Sequence, residues 1–197
     1  MAELKIGVLA LQGDFAEHEQ ILSLLGAQCI EIRQRRDLEE EIDGLILPGG
    51  ESTVMGKLLN ELDIFMPIKE KISTGLPVLG TCAGLILLAK NLSNDDKSYF
   101  ATLPVTVKRN AYGKQLGSFE CQEQVKGVGV IKMSFIRAPY IEKCSEDVEI
   151  LAKVKGNIVG VKYGNQIGLS FHPEVTDDTR IHRYFLSLCE AEKSSND

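Results

Sequence analysis

The 197 residues, 44% of them hydrophobic, suffice for one substantial core and fall short of the size at which two domains become the default. Acidic residues outnumber basic ones by 28 to 22, and a formal charge of −6 offers no basic footprint for nucleic acid. No apolar run approaches the roughly 20 residues that span a bilayer, and the start lacks a signal-peptide pattern, so a cytoplasmic protein with no membrane or nucleic-acid partner is expected.

Leu4 to Leu11 is an almost continuous apolar run, the composition of a strand buried on both faces of a parallel sheet, and Gln12-Gly13-Asp14 ends it. Ala16, His18, Ile21, Leu22 and Leu25 recur near helical spacing, with Asp14 as candidate N-cap and Gly26 as the stop before a strand over Ala27 to Ile32. Gly44 to Pro48 reads as another buried strand, followed by the Gly49-Gly50-Glu51-Ser52 turn and a helix from Thr53 through Leu59. A helix around Ile64 to Ile72 precedes a short strand at Pro77-Val78-Leu79. The Gly80-Thr81-Cys82-Ala83-Gly84 turn then opens a helix whose buried face is Leu85 to Ala89, and Asn91 to Ser98 reads as an exposed excursion.

Beyond this point short extended segments replace crossover units. Val105 to Lys108, Gln115 to Val125, Gly129 to Phe135, Val148 to Val154, Ile158 to Tyr163 and Ile167 to Phe171 suggest an antiparallel extension. A helix over Thr179 to Leu188 closes the chain, and the polar Glu190 to Asp197 stretch is expected to fray. The organisation is a single α/β domain over residues 1–197, ending in a flexible tail from about 190.

Cys29, Cys82, Cys121, Cys144 and Cys189 are widely spaced and form no CxxC pair, which suggests neither a disulfide framework nor a zinc ribbon. Cys82 alone lies between an apolar strand and an apolar helix, the setting of a nucleophile elbow. Small neighbours allow strand and helix to pass closely, and the helix amides favour thiolate. The competing reading is one more buried small hydrophobe. Gly49-Gly50 makes a second strand-end turn able to aim main-chain N–H groups at an oxyanion, while Glu51-Ser52-Thr53 is equally an ordinary helix start.

Phe171-His172-Pro173-Glu174 ends an apolar strand. In extended geometry His172 and Glu174 share one side, a base and its orienting carboxylate, and Phe171 enters the packed face opposite. His18 and His182 lack such a pairing and read as amphipathic-helix residues or surface contacts. Three histidines without a regular ligand cluster argue against catalytic zinc. Arg109-Asn110-Ala111-Tyr112-Gly113 and Phe135-Ile136-Arg137-Ala138-Pro139 add arginines able to recognise a carboxylate, against the simpler reading of two solvent-facing cations.

Taken with Gly7 to Gly13 and Leu47 to Thr53, these segments resemble the class I glutamine amidotransferases, and among them the glutaminase subunits of pyridoxal 5'-phosphate synthase, over nearly the whole chain. The resemblance implies Cys82 as nucleophile, His172 as base and Glu174 as its orienting carboxylate. It assigns Gly50, Glu51, Ser52, Arg109, Ile136 and Arg137 to the glutamine site, and Gly49 and Gly50 to the oxyanion region. It also implies a flavodoxin-like glutaminase sheet with flanking helices and an added antiparallel strand region. L-glutamine is the implied substrate, hydrolysed without metal or other cofactor, and the implied partner is a synthase subunit forming a dodecameric core that accepts the ammonia.

Overall fold

A computed structural model describes residues 3–112 and 117–196. Its centre is five parallel strands in the order β2 (Gln28–Ile32), β1 (Lys5–Leu9), β3 (Gly44–Leu47), β4 (Val78–Thr81) and β12 (Gln166–Leu169), the flavodoxin-like order. β3, β4 and β12 are buried along their entire length, which explains their largely apolar composition, Thr81 and Gln166 being the polar exceptions. On one face Leu45, Leu47 and Val78 pack with α2 (Ser52–Glu61), α3 (Phe65–Ser73) and α4 (Ala83–Leu88) through Met55, Leu59, Ile68 and Leu85. On the other, Ile6, Val8, Ile46 and Leu79 pack with α1 (Phe15–Leu24) and α5 (Arg180–Asn196) through Leu22, Ile181 and Phe185. Alternate residues of each strand thus serve opposite helical layers.

β12 departs from the sequence expectation. The sequence groups it with the antiparallel segments, yet it pairs parallel with β4, Gly168 opposite Gly80 and Leu169 opposite Thr81, and antiparallel only with β11 (Asn157–Tyr163). β11 carries the sheet on through β9 (Tyr140–Cys144), β6 (Leu103–Lys108) and β5 (Ala89–Leu92), with β10 (Glu149–Val154) also pairing to β11. β7 (Ser118–Val125) and β8 (Gly129–Ile136) form a separate antiparallel hairpin.

Two strands are not apparent in the sequence. β9 buries Ile141 alone, so its polar composition reads as a loop. β5 takes up Asn91 and Leu92, expected in an exposed excursion; it is the edge strand and leaves Lys90 and Asn91 in solvent. Gln115 and Leu116, read as strand, lie outside the described residues. At the other end α5 continues through Glu190 to Asn196, where fraying was expected. Glu192 accepts from Asn165 at 2.9 Å, and Lys193 donates to Asp43 at 3.0 Å, tying its last turns to the body.

Candidate active site

Four functional segments leave the C-terminal ends of β1, β3, β4 and β12, the edge at which open α/β sheets bind ligands. Cys82 leaves β4 with φ 49° and ψ −100°, a backbone state that costs a non-glycine residue about 1–3 kcal/mol. Bonds from Cys82 N to the Leu169 carbonyl (2.8 Å) and from Ile86 N to the Cys82 carbonyl (3.2 Å) hold it there. Close passage of α4 requires glycine: a Cβ on Gly84 would lie 1.9 Å from the Leu47 carbonyl oxygen, and one on Gly80 2.7 Å from the Gly84 backbone. The strained residue therefore sits at the strand-to-helix turn that the sequence singles out.

His172, 3% exposed, follows β12, and its backbone N–H bonds the Ser134 carbonyl of β8 at 2.9 Å. Its Nδ1 lies 2.6 Å from Glu174 Oε1 and 3.4 Å from Asp14 Oδ2. Glu174 sits in a single 3-10 turn over Pro173–Val175 rather than in continued strand, and this turn swings the carboxylate back onto the ring. Burial opposes charge on His172, but the neighbouring Asp14, Cys82 and Glu174 outweigh it and push the pKa up to about 12. The shorter contact makes Glu174 the principal partner. Burial in turn raises Glu174, against the pull of His172, so the two groups hold one proton between them.

With Nδ1 occupied, Nε2 is the nitrogen left for the nucleophile. It makes no hydrogen bond among the described residues in this conformation, and the Cys82 Sγ instead lies 4.0 Å from the Ile136 carbonyl oxygen. The thiol is thus a neighbour of His172 that makes no short bond to it in this conformation, and such catalytic contacts are often long in free enzymes.

Asp14, His172 and Glu174 bring ligand atoms within 4.8 Å of one another. The 2.6 Å separation of Nδ1 and Oε1 is shorter than the about 3.4 Å that two ligands of one tetrahedral zinc ion require, so the geometry is that of a hydrogen-bonded relay.

The Gly49-Gly50 turn packs directly on the base. A Cβ on Gly49 would stand 2.4 Å from His172 Cε1, and Gly50 adopts φ 152° beside the Gln12 side chain. The Gly49 carbonyl accepts from Asp14 N at 3.0 Å, and Glu51 N donates to Gln12 Oε1 at 2.8 Å. Glu51 caps α2, its Oε2 accepting from Val54 N at 3.1 Å, and its Oε1 meets Arg109 at 3.4 Å. Arg109 also donates to Asp95 at 2.8 Å and to Thr53 at 3.2 Å, which fixes it over the start of α2, and Ser52 is buried beneath. Ile136 brings its carbonyl to Cys82, and Arg137 follows in the left-handed region at φ 45°.

Several participants escaped the sequence reading. Asp14 occupies the N-cap of α1 but makes no side-chain cap there, and its carboxylate goes to His172 instead. His18 and His182 are not surface residues. Both are fully buried, with His18 Nδ1 2.9 Å from His182 Nε2, and His18 Nε2 3.3 Å from Thr81 Oγ1 and 3.5 Å from Glu174 Oε2. Their faces of α1 and α5 point inward, a fact that helical spacing alone leaves open.

Comparison with known proteins bears on this arrangement directly. The chain is 63% identical over 191 residues to a Desulfitobacterium hafniense protein named pyridoxal 5'-phosphate synthase subunit PdxT, covering 97% of this chain and 96% of that protein. A Streptococcus pneumoniae protein of the same name is 51% identical over 193 residues, 96% of this chain and all of the relative. A crystal structure of a glutamine amidotransferase superposes with a TM-score of 0.89 at 43% identity, covering 94% of this chain and 98% of its own. Residues 8–191 match the model of the SNO glutamine amidotransferase family, and the chain belongs to that family.

Proposed function

We propose that the chain, working as a single domain, hydrolyses L-glutamine to L-glutamate and ammonia and delivers the ammonia to a pyridoxal 5'-phosphate synthase partner. The observation that carries this reading is the strained Cys82 elbow beside a His172 whose Nδ1 is held by Glu174. His172, kept an imidazolium by its raised proton affinity, holds the proton that Cys82 gives up, and the thiolate attacks the side-chain carbonyl carbon of glutamine. Main-chain N–H groups of the Gly49-Gly50 region stabilise the oxyanion. The C–N bond breaks as His172 returns its proton to the leaving nitrogen, giving ammonia and a glutamyl thioester. Water, deprotonated by His172, then cleaves the thioester, and glutamate and the Cys82 thiol are restored.

Glu51, Ser52, Arg109, Ile136 and Arg137, with Gly50, form the glutamine subsite in this scheme, Ile136 meeting the sulfur through its carbonyl. Arg109 is braced by Asp95 and Glu51, so its cationic head is available in one fixed place. The relatives named as synthase subunits support the partner, and a dodecameric synthase core carrying glutaminase subunits is the assembly we propose. The cytoplasm is the location we propose; among the described residues no helix is long and apolar enough to cross a membrane.

Reconstitution with the cognate synthase tests the reading. Ammonia release from glutamine and pyridoxal 5'-phosphate formation should both appear, and Cys82→Ala should abolish each while free ammonia restores the second. Glutamine-independent synthesis at the same rate, or turnover by folded C82A, overturns it.

A further inference from the structure

The catalytic carboxylate has a second oxygen that the scheme above does not use. Glu174 is 5% exposed, and its Oε2 makes no hydrogen bond among the described residues. The group facing it is His18 Nε2, at 3.5 Å, on α1. Thr81, the residue before the nucleophile, places its hydroxyl 3.3 Å from the same nitrogen, and His182 on α5 closes the chain at 2.9 Å from His18 Nδ1. Four chain segments thus meet at one fully buried imidazole: α1, α5, the end of β4 and the turn that carries Glu174.

Protonation follows from chemistry. Burial and the neighbouring His182 and His172 hold His18 well below its ordinary pKa, and burial brings His182 down to about 4, so both rings are neutral near pH 7. Each carries one N–H, and only two arrangements satisfy the 2.9 Å contact between them. If His18 donated from Nδ1, its Nε2 lone pair would face the Glu174 carboxylate, and His182 would bury an unpaired Nδ1–H. If His182 donates from Nε2, His18 carries its proton on Nε2, facing Glu174 and Thr81, and the only unpaired atom is the His182 Nδ1 lone pair. An unmet buried donor and a lone pair opposing an anion both cost more than an unmet acceptor, so the second arrangement prevails.

We propose that His18 is a positioning residue for the glutaminase reaction: oriented by His182, it directs its Nε2–H at Glu174 Oε2 and so fixes the carboxylate that holds the catalytic base. Packing alone does not account for the pair. Two neutral imidazoles at 0% exposure, one with an unmet nitrogen, fill space less favourably than the apolar side chains that surround them. Their polar atoms converge on Glu174 and on Thr81, the neighbour of Cys82. With His172 an imidazolium, Glu174 bears full charge, and a His18 N–H aimed at its second oxygen favours that state, which the reaction needs.

This inference rests on the glutaminase reading, and the experiment separates the two. Full-length wild type, His18→Leu and His18→Gln are each assembled with the cognate synthase and assayed for ammonia release across glutamine concentrations, with circular dichroism confirming the fold. H18L should lose kcat about tenfold to hundredfold, the range for one hydrogen bond to a charged group, while KM stays within about twofold. H18Q, whose amide nitrogen reaches the position of Nε2, should recover most of the loss. Folded H18L with wild-type kcat, or H18Q as slow as H18L, overturns the positioning role. Should H18L not fold, H18Q is compared with His18→Asn, whose shorter amide stops near the place of Nδ1. A slower H18N supports the role, and equal rates overturn it. An inactive wild type refutes the glutaminase reading and this inference with it.

Discussion

At the level of single residues, Cys82 stores strain where the chemistry needs it. Its φ of 49° and ψ of −100° lie outside the regions open to ordinary side chains. Glycine relieves that strain and alanine does not, so Cys82→Gly should equal or exceed Cys82→Ala in stability, by up to about 1 kcal/mol, although glycine normally costs stability through its unfolded-chain entropy. Urea unfolding of the two variants, neither of which turns over glutamine, checks this; a glycine variant weaker by a full kcal/mol would show the elbow unstrained. His172 allows a second test. Its pKa, pushed up to about 12, keeps the imidazolium through neutral pH, so the alkaline fall of kcat/KM should lie far above 6.5. Glu174→Gln removes the carboxylate at 2.6 Å and should both cut kcat strongly and move that alkaline limb downward, towards an ordinary histidine. A variant whose profile keeps its limb in place would assign the raised proton affinity to Asp14 instead.

At the level of elements, the site is made of strand ends, and this explains what the sequence revealed. Cys82, His172 and Glu174 were legible as candidates because each lies within a few residues of a short, largely apolar strand, β4 or β12, whose pattern survives complete burial. The Gly49-Gly50 turn was legible for the same reason, through β3. What stayed hidden depends on contacts across long separations. His18 and His182 are 164 residues apart, Asp14 is a good N-cap by composition, and β12 joins a parallel partner although its sequence neighbours are antiparallel. No local periodicity encodes such meetings. The same close packing yields a sharp prediction for the turn. Gly49 does not adopt a positive φ, so Gly49→Ala should leave the backbone intact. Its Cβ would arrive 2.4 Å from His172 Cε1 and displace the base. A shift of this kind costs about 100-fold in kcat, with near-native circular dichroism. Wild-type turnover in folded G49A would mean that the ring is not confined as drawn.

At the level of the whole molecule, burying two neutral histidines between α1, α5 and the sheet ties stability to pH. Unfolded, His18 and His182 bind protons near the ordinary 6.5; folded, His182 resists until about 4, and His18 is also held well below its normal value, burial being the leading cause in both. A depressed folded pKa gives stability that is fully present above 6.5 and lost as pH falls towards the folded value, because the unfolded chain binds the extra protons. His172 has its shift in the opposite direction, so its linkage acts between 6.5 and about 12 and leaves the acid window unaffected. The shifts of His182 alone correspond to a loss on the order of 3 kcal/mol between pH 6.5 and 4, a large part of a typical domain's stability. Since the chain has no Trp, unfolding is followed by circular dichroism in urea at pH 7, 6, 5 and 4.5. Wild type should weaken steeply below pH 6.5, by up to about 1.4 kcal/mol per pH unit for each histidine. His182→Asn removes one titrating ring; whatever it costs at pH 7, its stability should fall with pH by about one proton less than wild type. Parallel pH dependences of the two proteins would rule out His182 as the source of the acid sensitivity, since Asp14 and Asp178, whose folded pKa values are lowered from 3.8, act only below this range.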